Sequence, residues 1–342
     1  MDQLPDKQFE SNPEEEIFLP GSASVITYPP KFEKKEQSSN IWLRSFTSLA
    51  LYLILGYYIF PSYKILLLIT AIVMIHELGH FFAMKFFHYN DLGIFFIPLL
   101  GAYVSGSKRQ VSQKQSAIIL LAGPLPGIII GITGYLLWQN NTGLSIAGIS
   151  LYTVSLSFII LNLINLIPVY PLDGGQLLNR VFLDEESKLS KIFIFLSIGF
   201  LCWIALFAMN KPFYPLLIFP AMMLFRLFGD KKITEVEKRV EAEGLDTDLE
   251  YKDLPDEDYW KIRKILIEEH ASFKDVESGP PYEYSGSKEE KIMIAIQSLL
   301  HRHLIQDVSL MGKILILLIW IAAIASPWLL KMDMSFLNRF GF

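Results

Sequence analysis

The stretch ILLLITAIVMIHELGHFFAMKFF, residues 65–87, decides the fold. A helix needs about 20 apolar residues to cross a hydrocarbon core about 30 Å thick, and this run is long enough. Yet its second half carries His76, Glu77 and His80. Positions i and i+4 share a helix face, so His76 and His80 can hold one metal ion with Glu77 beside them. Burying two imidazoles and a carboxylate is costly unless they are paired or metal-bound. Ionisable groups at membrane depth therefore mark a functional site.

The rest of the chain agrees with that setting. Hydrophobic residues make up 52% of the 342 positions, and mean hydropathy is +0.36. The sequence predicts an all-α polytopic membrane protein with about seven transmembrane helices. Expected spans lie near residues 41–61, 64–88, 115–138, 149–171, 190–209, 213–229 and 312–331. The sixth is short and holds Pro215 and Pro220, so it reads as a kinked crossing or a re-entrant segment. If it fails to cross, everything after it changes sides.

Charge sets the orientation. Lys31, Lys34 and Lys35 precede the first span. Lys108, Arg109, Lys114, Arg180, Lys188 and Lys191 fall on the same side of the expected topology. The opposite loops are nearly free of basic residues, which puts the N-terminus in the cytoplasm. The first forty residues lack a cationic start followed by a short apolar run, so no cleaved signal peptide is expected. The expected location is a bacterial cytoplasmic membrane.

The organisation follows: a polar N-terminal segment (1–40), a membrane core (41–229), a cytoplasmic helical segment (230–311), then a final helix and short tail (312–342). Within 230–311, residues 256–270 open on acids after Pro255, and 287–303 repeat apolar positions at Ile292, Ile296 and Leu299. With few apolar residues, this segment reads as a small helical module or a partly ordered linker. The net charge of −5 sits mostly in the polar regions, and no phosphate-binding glycine loop or internal repeat is present. No nucleic-acid partner is expected. The lone Cys202 lies mid-span, which excludes a disulfide framework.

Two histidines leave a tetrahedral catalytic zinc one protein ligand short. The segment Asn162-Leu-Ile-Asn165-Leu-Ile-Pro168-Val-Tyr-Pro171-Leu-Asp173-Gly174-Gly175 offers it. Pro168 and Pro171 break the helix and the glycines allow close approach, turning Asp173 back toward the core. Asp91, just past the second span, is a weaker candidate.

Together the two motifs resemble the site-2 protease family of intramembrane zinc metalloproteases, which pairs His-Glu-x-x-His with a later Asn-x-x-Pro-x-x-x-Leu-Asp-Gly. The resemblance covers about residues 41–180. Pro98-Leu-Leu-Gly101-Ala-Tyr103-Val-Ser-Gly106 is similar to the family's membrane-entering hairpin. Leu121-Ala-Gly123-Pro124-Leu-Pro126-Gly127 resembles its small-residue turn.

The resemblance implies one Zn2+ held by His76, His80 and Asp173, with Glu77 as general base and acid. It implies hydrolysis of a transmembrane protein substrate within the bilayer, without fixing an oligomeric state. Unwound substrate would add to the Leu99–Val104 edge, with Leu99, Gly101, Tyr103 and either Asn165 or Asn162 holding it. The chain departs from the family in showing no PDZ-like domain and no paired-repeat nucleotide-sensing module.

A transporter with an ion path is the competing class, but it has no need of a carboxylate beside the first of two i,i+4 ligands. His88, His301 and His303 read as incidental. Trp42, Tyr57, Tyr58, Trp138 and Trp328 read as interfacial anchors.

Overall fold

The computed structural model describes residues 28–33, 40–60, 62–98, 101–108, 111–185, 187–208, 212–247, 249–273, 275–276, 287–300 and 304–333. The fold is mostly helical. Helices α1 (Ile41–Ile59) and α2 (Tyr63–Phe86) lead into a hairpin of β1 (Asn90–Ile97) and β2 (Gly101–Ser107). Short β3 (Val111–Ser112) precedes α3 (Gln113–Ala122) and α4 (Pro124–Asn140). A small hairpin of β4 (Ser145–Ile146) and β5 (Ile149–Ser150) opens α5 (Leu151–Asn165). Then come short α6 (Asp173–Leu177) and α7 (Lys188–Trp203). After them follow α8 (Ile218–Ala242), α9 (Asp256–Glu269), α10 (Ser287–Leu299), β6 (Leu304–Ile305) and α11 (Leu310–Leu329).

Among the described residues, four helical stretches are long and apolar enough to cross a membrane: Tyr63–Phe86, Gln113–Asn140, Lys188–Phe207 and Leu310–Leu329. The second combines α3 and α4. Pro124 has no N–H to continue the ladder and Pro126 removes another, so the axis breaks at Gly123. Outward faces carry Phe46, Phe82, Phe86 and Leu315, each more than half exposed. Such faces suit lipid rather than water.

Three expected spans differ. The fourth stops at Asn165 instead of reaching 171, because Pro168 cannot extend the helix. The apolar part of the sixth, Tyr214–Phe225, is shorter than a full span. It starts as a 3-10 turn at Tyr214–Leu217, and α8 then runs unbroken through residue 230, which was the expected boundary. The first, α1, falls below the others in length and apolarity combined.

The β1–β2 hairpin runs along α1. Phe96 N–H donates to Ser48 Oγ at 3.1 Å, and the rings of Tyr52 and Phe96 stand 5.6 Å apart. The tip therefore reaches the middle of α1. The expected strand at Leu99–Val104 is displaced: pairing runs from Ile97↔Gly101 to Asn90↔Ser107, and Leu99 lies outside the described residues. Asp91, expected in a loop, sits in β1 at positive φ and accepts from Ser107 Oγ. Trp138, near the end of α4, is half-buried, with its ring 4.7 Å from that of Tyr152. Trp42, Tyr57, Tyr58 and Trp328 are exposed as expected. His301 and His303 lie outside the described residues.

Contacts sort the loops into two ends. At one, β6 pairs in parallel with β3, Asp307 Oδ1 accepts from Lys114 N, and Gln306 Nε2 donates to Asp184 Oδ2. Lys31 N donates to Asp256 Oδ1 and Trp260 Nε1 to Pro29 O, tying the N-terminal segment to α9. At the other end, Asp333 N donates to Tyr135 Oη and Tyr152 Oη to Asp333 O.

The end of α8, the residues before α9, and helices α9 and α10 share a core. Val236, Val240, Leu254, Tyr259, Ile262, Leu266, Ile292 and Ile296 are all 2% exposed or less. Inside it, Arg263 and Glu289 pair at 2.7 Å, with the guanidinium 5.0 Å from the Trp260 ring. Isolated buried charge would be prohibitive; a two-point pair to the Arg263 Nε and Nη2 satisfies both groups.

Candidate metal centre

Three backbone segments converge on one point. Helix α2 places His76 and His80 on one face, as the i,i+4 spacing requires, with Glu77 adjacent. All three are buried. The turn after α5 delivers Asp173 as the first residue of α6, passing through a cis Tyr170–Pro171 bond. Backbone groups freed where the helix breaks find partners: Trp320 Nε1 donates to Leu166 O at 2.9 Å, and Tyr170 N to Ser197 Oγ. Gly174 and Gly175 pack against the Leu166 and Val169 backbone with no room for a Cβ.

Asp173 Oδ2 lies 3.0 Å from His76 Nε2 and 3.3 Å from His80 Nε2, and the two Nε2 atoms are 3.1 Å apart. His76 Nδ1 meets Asn162 Oδ1 at 2.9 Å, and His80 Nδ1 meets the Ile119 carbonyl at 2.8 Å. The Asn162 amide is not free to turn, because its Nδ2 donates to Phe158 O at 2.7 Å. Both partners of the histidines are thus acceptors, so each Nδ1 carries the proton. That leaves two Nε2 lone pairs facing a carboxylate oxygen that is buried and accepts no aligned hydrogen bond. Two ring nitrogens and a carboxylate oxygen converging in a buried pocket are a donor set that a cation would satisfy.

The spacing fits zinc. Tetrahedral ligands at about 2.0–2.1 Å from a metal stand about 3.3–3.4 Å from one another. The separations of 3.0, 3.1 and 3.3 Å need only a few tenths of an ångström of adjustment. These three residues form the group that could hold a metal ion among the described residues. Asp91 and His88 are not members of it. Two nitrogens and a carboxylate also suit zinc's ligand preference.

Small residues let the helices come this close. A Cβ on Gly123 would stand 2.3 Å from the His80 ring, and one on Gly127 would stand 2.1 Å from Asn162 Nδ2. The glycine turn noted in the sequence is thus the seat of His80 and of the Asn162 amide.

The centre forms the wall of a cavity of about 1390 Å³. Gly101, Tyr103 and Asn165 line it, and it extends past Arg180 and Asp184 to Gln306. Strand β2 pairs with β1 along one edge and, among the described residues, with no strand along the other. The Val104 backbone N–H meets the Glu77 carboxylate. Asn165 is half-buried, with Nδ2 on Leu161 O at 3.3 Å. Asn162 differs from its expected substrate-binding role: it is 1% exposed, and both ends of its amide are engaged inside the protein. The Ile119 carbonyl had no signal in the sequence, since any residue could supply it.

Fold and centre together make a candidate metal site of the His-Glu-x-x-His type on a helix long and apolar enough to cross a membrane. Residues 64–147 match the model of Peptidase family M50. It is 29% identical over 202 residues to a zinc metalloprotease of Methanocaldococcus jannaschii, covering 57% of this chain and 56% of that protein. It is 28% identical over 182 residues to stage IV sporulation protein FB of Bacillus subtilis, covering 51% of this chain and 62% of that protein. A solved site-2 protease structure from M. jannaschii aligns over 54% of this chain and 85% of its own, at 26% identity and a TM-score of 0.39. The chain spans little more than half the length of the curated relatives it matches. It is an integral membrane protein.

Proposed function

We propose that the protein is an intramembrane zinc metalloendopeptidase, cutting membrane-anchored proteins within or near the bilayer. The observation that carries this is the meeting of three possible ligand atoms beside Glu77, in the wall of a cavity bordered by a strand edge. His76, His80 and Asp173 would hold one zinc ion per chain. Zinc supplies, when bound, an acidified water and a polarised scissile carbonyl. The names of the two curated relatives, one a zinc metalloprotease, support the same reading.

Glu77 takes the proton of the attacking water and returns it to the leaving amine. A substrate helix must first unwind, since its carbonyls are shielded and hydrogen-bonded. The free edge of β2 gives the unwound segment a backbone partner at a depth where water cannot serve. Gly101 and Tyr103 lie along that edge, and Asn165 faces the same cavity as a holder of substrate backbone.

The chain crosses the bilayer seven times in this reading, with 41–229 as the catalytic core and α8 joining it to the 230–311 module. Supporting this, residues 29–31 share an end with α9, whereas Asp333 lies at the opposite end. An odd number of crossings must separate them. The charge distribution supports a cytoplasmic N-terminal end and module, and the membrane in this reading is a bacterial cytoplasmic one.

The test is Glu77→Gln, which keeps the side chain's size and removes the base. Membranes of cells producing the wild type or the variant are compared by mass spectrometry of protein fragments. Zinc content should be unchanged, and uncleaved membrane proteins should accumulate only with the variant. Identical fragment patterns would overturn the proposal.

A further inference from the structure

We infer that Asn162 is a metal-positioning residue: its carbonyl fixes the protonation and direction of the His76 ring, leaving Nε2 free to bind zinc. This rests on the zinc-centre reading and adds to it a residue outside the three ligands and Glu77. Asn162 and Asn165 sit one helical turn apart on α5, but the structure divides their work. Asn165 lines the cavity, while Asn162 is buried with its Oδ1 2.9 Å from His76 Nδ1.

The geometry is over-determined. Nδ2 of Asn162 donates to Phe158 O at 2.7 Å, one turn back on its own helix, so the amide cannot flip without setting carbonyl against carbonyl. The flat side of α4 at Gly127 makes room for that amide, since a Cβ there would stand 2.1 Å from Nδ2. With Oδ1 so fixed, the only tautomer of His76 that satisfies the pair carries its proton on Nδ1. In the other tautomer, two lone pairs would collide at 2.9 Å and the ligand nitrogen would be capped by hydrogen. His80 receives the same service from the Ile119 carbonyl, which no side-chain substitution can remove. Among the described residues, Asn162 is therefore the outer hydrogen-bond partner of the ligand histidines that mutation can test. An outer partner of this kind typically changes metal affinity about 10–100-fold when lost.

The experiment measures zinc affinity of the purified full chain by competition with a chromophoric chelator, alongside thermal melting in the same detergent. Asn162→Leu keeps the branched heavy-atom outline and removes the acceptor; zinc binding should weaken about 10–100-fold. Asn162→Asp keeps an acceptor toward Nδ1 while losing the Nδ2 donation to Phe158. It should melt lower, as Asn162→Leu does, but hold zinc within a few-fold of wild type. Asn165→Leu, one turn away, should leave affinity unchanged. Should Asn162→Leu fail to fold, the Asn162→Asp and wild-type affinities still decide, because a packing role would lower zinc binding in step with melting. Undiminished affinity in Asn162→Leu, or equal losses in the Leu and Asp variants, would overturn the inference. A wild-type chain that binds no zinc would instead overturn the zinc-centre reading itself.

Discussion

His76 Nε2 and Asp173 Oδ2 stand 3.0 Å apart, although the hairpin and helices α3 to α5 separate them along the chain. Neither side chain can reach the other from a regular helix alone. The meeting depends on α5 ending at Asn165, on Trp320 and Ser197 taking up the freed backbone, and on close contact between α2, α3 and α4. Each of these conditions can be broken separately.

Close contact between α2 and α3 turns on Gly79, inside the His-Glu-x-x-His motif. A Cβ there would lie 1.9 Å from Ala122 O, a backbone atom that cannot swing away. Gly79→Ala should therefore push α2 off α3, destabilising the fold by about 3 kcal/mol or more. It should also separate His80 from Ile119 O. Thermal melting and zinc content read the two effects, and a variant equal to wild type in both would contradict this packing.

Strand addition makes a different demand. Val104 sits on β2 with its N–H toward Glu77, away from the β1 partner strand. Val104→Pro should leave the metal centre loaded, because no ligand or ligand partner is touched, yet lower cleavage at least tenfold. Loss of zinc together with activity would mean that β2 holds the centre together instead of receiving substrate.

In the module between α8 and α11, the Arg263–Glu289 pair is almost wholly buried. Removing one partner strands the other charge, at a cost of about 3–5 kcal/mol. Glu289→Ala should unfold that unit, exposing Trp260 and raising protease sensitivity between α8 and α11, while zinc stays bound in the membrane core. A double change of Arg263→Met with Glu289→Leu should recover much of the loss. Limited proteolysis checks both; an unchanged digestion pattern in Glu289→Ala would contradict the buried pair.

The candidate ligands were legible because their chemistry is confined to few residue types at fixed spacing. His76, Glu77 and His80 follow from helical geometry, and the Pro168–Pro171 break is what a proline does to a helix. Other features lay beyond the sequence for physical reasons. Asn162 and Asn165 are three residues apart, about 60° around a helix, so spacing could not say which would face His76. The Ile119 carbonyl is a backbone atom and leaves no side-chain trace. The module looked poor in apolar residues because its core is gathered from α8, α9, α10 and the N-terminal residues Tyr28 and Phe32, none of them rich alone. The hairpin was recognised by its glycines, but its pairing register depends on β1, whose Asn90–Ile97 stretch carried no strand expectation.

The central claim is that His76, His80 and Asp173 hold one catalytic zinc. The most direct measurement is zinc stoichiometry in purified wild type, Glu77→Gln and Asp173→Ala, after dialysis against a weak chelator. The account expects about one ion per chain in the first two and almost none in Asp173→Ala, with all three inserted and folded. A wild-type chain without zinc, or an Asp173→Ala chain that keeps its full complement, would contradict it.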